Sequence, residues 1–207
     1  MKRSGICFGA ASFAMTAGVM AASLMACGST QTSSGTGTGS TPSAQQGLVA
    51  FETVRGVLQH PRCQNCHPRG DVPLQGDDSH PHPQNVQRGP DGKGMVGERC
   101  TTCHGPGNLP DSYGASVPPG APTGWRMPKP DERLVFVGVA PGALCEQIKD
   151  PARNGGKDMA ALRTHLDDPL VTWGWNPGFG RTPIPVSRDA FLAAWQTWAA
   201  AGTPCPK

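Results

Sequence analysis

Cys63, Cys66 and His67 stand in the order C-x-x-C-H, and Cys100, Cys103 and His104 repeat it in "CTTCH". The pattern has a chemical reading. Two thiols with two residues between them match the span between the vinyl groups on one porphyrin edge. The histidine that follows at once is placed under the ring, where its imidazole can bind iron. Two copies in one chain therefore point to two covalently bound c-type haems, with Cys63, Cys66, His67, Cys100, Cys103 and His104 as the holding residues. A zinc site built from the four cysteines is one alternative. Its paired cysteines usually stand about 15–20 residues apart. Here 33 residues separate Cys66 from Cys100, and zinc gives no reason for a histidine after each pair. Two redox-active disulfides are a second alternative, but no thioredoxin-like strand–helix context surrounds either motif.

Each iron held by His67 or His104 has a second face. Histidines and methionines are the candidates for it. His60 lies three residues before Cys63, where reaching over its own ring is awkward, and it reads better as a helix-end residue. His80 and His82 flank Pro81 and point to opposite sides if extended. Of the two, His82 is favoured. His165 lies beside an apolar helical stripe. Met127, in "GWRMPKP", stands in the loop setting from which small cytochromes supply a sulfur ligand. Met95 and Met159 read as loop and core fillers. The candidate metal ligands are thus His67 and His104 on one side, and His82, His165 and Met127 on the other. The choice matters because a thioether raises a haem potential relative to a second imidazole. A six-coordinate iron carries electrons, whereas an open one permits chemistry on small molecules.

The elements that must position these groups are few. In "GLVAFETVRGVLQH", Leu48, Phe51, Val54, Val57 and Leu58 share one helical face, and this helix leads straight into Cys63. "PGALCEQIKD" predicts a short helix carrying Cys145. "DMAALRTHLDD" predicts another, capped by Asp158, with Met159, Leu162 and Leu166 on a stripe. The last helix is capped by Ser187, favoured by Asp189 at its N-terminal dipole and stopped by Gly202; Phe191, Leu192, Trp195 and Trp198 form its apolar face. The rest is mostly loop, in keeping with 28 glycines and 22 prolines among 207 residues. The expected fold is mainly α with extensive loops and little or no β-strand. First and last helices packing together resembles the cytochrome c plan, so a cytochrome c-like dihaem domain is expected over residues 47–207, one that folds poorly without haem.

The N-terminus reads as an export signal, with Lys2 and Arg3 before a mildly apolar run. Leu24-Met25-Ala26-Cys27 resembles a bacterial lipobox. On that reading residues 1–26 are a lipoprotein signal peptide and Cys27 carries lipid. The alternative is an uncleaved membrane anchor. Both readings place the rest of the chain outside the cytoplasm, tethered to a membrane. With no aspartate after Cys27-Gly28, the resemblance to sorted lipoproteins implies the periplasmic side of the outer membrane. Residues 27–46 carry no charge and almost no apolar bulk. They predict a disordered tether with a reach of roughly 25 Å.

The eight cysteines then divide without remainder. Cys7 leaves with the signal, Cys27 takes lipid, and four form the two motifs. Cys145 and Cys205 are left to form a disulfide in an oxidising compartment, the alternative being two buried free thiols. With few charged residues and a formal net charge of only +3, no nucleic-acid partner is expected, since binding a phosphate backbone needs a clustered basic surface.

The runs "HPRCQNCHPRGD", "PLQGDD", "RGPDGKG", "RCTTCH", "KDPARNGG" and "DPLVTWGWNPGFGRTP" resemble a family of small bacterial haem proteins labelled isoquinoline 1-oxidoreductase subunit. The resemblance covers residues from about 48 to 206. It implies an electron-accepting partner of a molybdenum hydroxylase. The chain has no molybdopterin or iron–sulfur motif of its own, so it would serve only electron transfer, between a redox-protein donor and acceptor. Two other readings stay open: a small haem enzyme with one open iron, for which no distal His–Arg or His–Glu arrangement is evident in the sequence, and a non-catalytic haem-binding lipoprotein. Trp173 and Trp175 in "WGWNPG" are either padding for a haem edge or part of a docking surface.

Overall fold

The structure is a computed structural model and describes residues 40–207. The signal, Cys7, Cys27 and most of the tether lie outside the described residues. Helix α1 (Ala44–Leu58) begins inside the segment expected to be tether. Ser43 accepts from the Gln46 N–H while the Gln46 side chain accepts from the Ser43 N–H, a reciprocal capping box that starts the helix a turn early. The folded part therefore reaches back past residue 47.

Phe51, Val54 and Val57 of α1 are fully or almost fully buried. Their partner is α7 (Arg188–Ala200), which buries Phe191, Trp195 and Trp198. The Phe51 and Trp198 rings lie 5.1 Å apart between centres. Each such side chain contributes about 1.5–3 kcal/mol on burial. Gly47 lets the helices close in, because a Cβ there would meet Ala201 and Pro204. Ser187 caps α7 by accepting from Ala190 N–H, and Gly202 takes a left-handed φ of 80° beyond it.

Helix α2 (Pro61–Gln64) follows α1 directly, with His60 accepting from the Arg62 N–H at 3.2 Å as its cap. Helix α3 (Pro141–Lys149) adds Leu144, Cys145 and Ile148 to the core. Cys145 is disulfide-bonded to Cys205, with Cα atoms 5.5 Å apart. Short helices α4 (Pro151–Asn154), α5 (Met159–His165) and α6 (Pro169–Thr172) each start on an aspartate that accepts from a first-turn N–H: Asp150, Asp158 and Asp168.

Between α2 and α3 the chain is irregular. Among the described residues the strands are two antiparallel pairs of two residues each: β1 (Leu74–Gln75) with β2 (His80–Pro81), and β3 (Gly94–Met95) with β4 (Glu98–Arg99). The fold is thus mostly helical, with a few short strands and extensive loops. No described helix is long and apolar enough to cross a membrane.

Candidate functional site

Cys63 sits within α2, and the turn after it brings Cys66 and His67 round, with His67 N–H donating to Gln64 O at 3.0 Å. A second loop then fixes the imidazole. His67 Nδ1 donates to Leu134 O at 3.0 Å, Phe136 N–H returns a bond to His67 O, and the Phe136 ring stacks on the imidazole at 4.0 Å and 17°. The carbonyl occupies Nδ1 and leaves Nε2 as the free lone pair, the arrangement by which an outer partner orients a metal-binding histidine.

Cys63, Cys66 and His67 line a cavity of about 420 Å³. That is within the range of about 300–1,000 Å³ usual for cofactor-sized ligands. Leu58, Ile148, Leu162, Leu166 and Trp195 supply apolar wall, while Lys93, Lys129, Lys157 and Arg126 bring cations to it. Arg62 also lines the cavity, with only 3% of its side chain exposed. It donates to Gly76 O and pairs with Asp77, but its Nε is buried without a partner. Carboxylates line the cavity too, with Asp168 paired to Arg126 and Glu132 to Lys129 and Lys157, so what the walls suit is a ligand with an apolar body.

Burial pushes the Cys63 thiol up to about 12 and the Cys66 thiol up to about 11, in both cases reinforced by a neighbouring cysteine. Burial also carries His67 down to about 3, against the opposing pull of the Leu134 carbonyl. The thiols are therefore protonated and the imidazole neutral at ordinary pH. Among the described residues no group of three or more His, Cys, Asp or Glu is placed to hold a metal ion. All four motif cysteines are free thiols rather than disulfides.

The second motif repeats the device at the surface. The β3–β4 hairpin delivers a 3-10 turn over Cys100–Thr102, and His104 N–H donates to Cys100 O at 2.9 Å. His104 Nδ1 donates to Pro119 O at 2.7 Å. Trp125 stacks on the imidazole at 4.7 Å and 8°, and Trp173 meets Trp125 edge-on at 4.8 Å. Burial lowers the His104 pKa. Cys103 is exposed, unlike either thiol of the first motif.

The structure distributes the remaining candidates between the two motifs. Met127 and His165 both line the cavity of His67. Met127 is 6% exposed. His165 is exposed, yet the burial it does have lowers its pKa. His82 lies by the other motif, with its ring centre 6.3 Å from that of His104. His80 has both ring nitrogens engaged, Nδ1 with Asp78 and Nε2 with Gln75. Trp175 belongs to the core, packing on Phe191 and donating to Val186 O, so only Trp173 of the pair stands near a motif.

Several contributors carried no signal in the sequence. The Leu134 and Pro119 carbonyls are backbone groups that any residue would supply. Arg88 is 1% exposed and donates to Asp71, Gly70 O and Pro128 O, tying the loop after the first motif to the loop that carries Met127. Its context "RGPDGKG" was recognisable, but its role depends on where those carbonyls come in space. Compared with protein-family models, curated proteins and solved structures, the chain matches none. The reading of these sites therefore rests on their own chemistry.

Proposed function

We propose that the domain is a dihaem c-type cytochrome carrying single electrons between redox proteins outside the cytoplasm, tethered to a membrane by lipid on Cys27. One observation carries the reading. In both C-x-x-C-H motifs a backbone carbonyl holds the histidine Nδ1, leaving Nε2 as the free donor beside two unpaired thiols. Each bound haem would supply an iron that gains and loses one electron.

The chain's residues do the rest. Cys63 with Cys66, and Cys100 with Cys103, hold the group by thioether bonds. His67 and His104 would each offer Nε2 to the iron, with Nδ1 held by Leu134 O and Pro119 O. The apolar walls around His67 suit the body of the group, and Lys93 lines the same cavity as a cation for a carboxylate end. The exposed Cys103 makes the second motif the port for a partner. Exposed Leu109, Tyr113 and Phe179 lie on the loops around it, which meet where Asn108 donates to Asn176 O and Arg181 to Val117 O. The family resemblance suggests a molybdenum hydroxylase as the electron donor.

A haem enzyme is the second reading, favoured by His165 sharing a cavity with Arg126. Against it, the Arg126 guanidinium is committed to Asp168 and to the Thr123 and Gly124 carbonyls. The test is the pyridine haemochrome of the exported protein, together with carbon monoxide binding by its ferrous form. Two haems per chain with spectra indifferent to carbon monoxide are expected. Fewer than two would overturn the dihaem assignment, and fast binding of carbon monoxide would favour the enzyme.

A further inference from the structure

The loop after the first motif ends beside the second. His82 is fifteen residues from His67 in the chain, yet its ring faces that of His104. The centres are 6.3 Å apart and the planes cross at 64°. That is a loose edge-on approach, within the range of ring–ring contacts but too far for a hydrogen bond between the rings. Two imidazoles bound on opposite sides of one metal at about 2.0–2.1 Å per bond hold their ring centres roughly 6 Å apart.

The free valences agree. Pro119 takes the Nδ1 of His104. On His82, the Gln84 side chain bonds the ring, while Nδ1 is buried without a partner. Buried polar atoms are nearly always paired, and an orphan calls for a missing ion or ligand. The backbone of His82 is anchored independently of any such ligand. Its N–H donates to Pro73 O at 3.0 Å, its carbonyl accepts from Asn85 N–H at 3.1 Å, and prolines flank it on both sides. Trp125 covers one face of the His104 ring and restrains its rotation. His80, two residues earlier, is bonded at both nitrogens and is not available.

We infer that His82 and His104 are the two axial ligands of one haem iron, so that the loop leaving the first motif closes the second centre. This rests on the dihaem reading above. The two centres are then interlaced. The first lends His82 to the second, and Met127, from the loop beyond the second motif, lines the cavity of the first. Its N–H is held by Gly92 O at 2.8 Å. The exposed centre is bis-imidazole, and where Met127 closes the buried one the exposed centre has the lower potential.

The test uses the full chain with its haems attached. In the wild type, ferric near-infrared magnetic circular dichroism should contain a bis-imidazole band. His82→Ala should convert one low-spin haem to high-spin by electron paramagnetic resonance. Its ferrous form should bind one more equivalent of carbon monoxide per chain than the wild type, and added imidazole should restore the low-spin signal. His82→Met should keep both haems low-spin while raising one potential. A wild type without a bis-imidazole band would overturn the inference. So would a His82→Ala protein whose two haems both stay low-spin and closed to carbon monoxide. A wild type with fewer than two haems per chain would instead overturn the reading beneath it.

Discussion

Arg88 is a charged side chain in a fully buried place, and its cost is offset only because its donors are matched. Nε donates to Asp71 at 3.1 Å, and the two terminal nitrogens donate to Pro128 O and Gly70 O. Its backbone joins a third segment, since Gly94 N–H donates to Arg88 O at 2.9 Å. Removing one partner of a buried charged contact costs about 3–5 kcal/mol. Asp71 is half exposed and keeps a bond to Arg133, so Arg88→Ala should fall near the lower end, about 3 kcal/mol. Arg88→Lys should recover little, because an ammonium cannot reproduce the planar fork. Urea midpoints of the haem-loaded variants would check both; a midpoint unchanged in Arg88→Lys would refute the fork argument. At this scale the sequence was legible where chemistry resides in side chains of rare type, as in the two motifs and the triad of His82, His165 and Met127. It was not legible where the partner is a backbone carbonyl, as for His67, His104 and Arg88. Nor did the order of residues reveal that His82 lies by the farther motif, because that depends on how the irregular loop folds back.

Helices were legible wherever their signals are local. Asp158 and Ser187 cap α5 and α7 as their positions suggest, and the apolar faces of α1 and α7 meet. The start of α1 was missed because Ser43 and Gln46 sit in a polar run that resembles the tether before it. Gly47, in the first turn of that helix, offers a test in which two effects oppose each other. Helix propensity alone would favour Ala at this position by about 1 kcal/mol. The new Cβ, however, would stand 2.6 Å from Ala201 Cβ and 2.7 Å from Pro204 Cγ. Both belong to groups that cannot swing away, so α1 and the C-terminal segment must separate. Overpacking of this kind costs about 1–3 kcal/mol. Gly47→Ala should therefore destabilise by roughly 1 kcal/mol net. A thermal midpoint at or above that of the parent would mean that the helices part at no cost.

Across the whole domain, stability is divided unevenly. The bundle of α1, α3 and α7 buries Phe51, Val54, Leu144, Phe191 and Trp198, and none of these contacts involves a prosthetic group. The Cys145–Cys205 bond, with a sequence separation of 60, adds to the same part; the chain-entropy account gives roughly 4 kcal/mol for such a loop. Residues 65–140 have no comparable core. Their buried apolar side chains are Pro68, Ala121, Met127 and Phe136, and their strands are two residues long. What orders this stretch is a set of bonds to loop carbonyls, together with whatever fills the cavity beside His67. Local stability follows buried apolar contact, so on the proposed dihaem reading loss of the haems should act on this stretch first. Replacing Cys63, Cys66, Cys100 and Cys103 by Ser in the full chain, and removing residual haem, should leave far-UV circular dichroism largely intact through the bundle. Hydrogen exchange followed by mass spectrometry should then show peptides within 65–140 exchanging far faster than in the haem-loaded protein, with peptides from α1, α3 and α7 little changed. The stretch has too few apolar contacts to replace those a haem would make. Equal protection of 65–140 in both forms would mean that the loops carry their own stability, and that the cavity is a preformed container rather than a fold completed by its ligand.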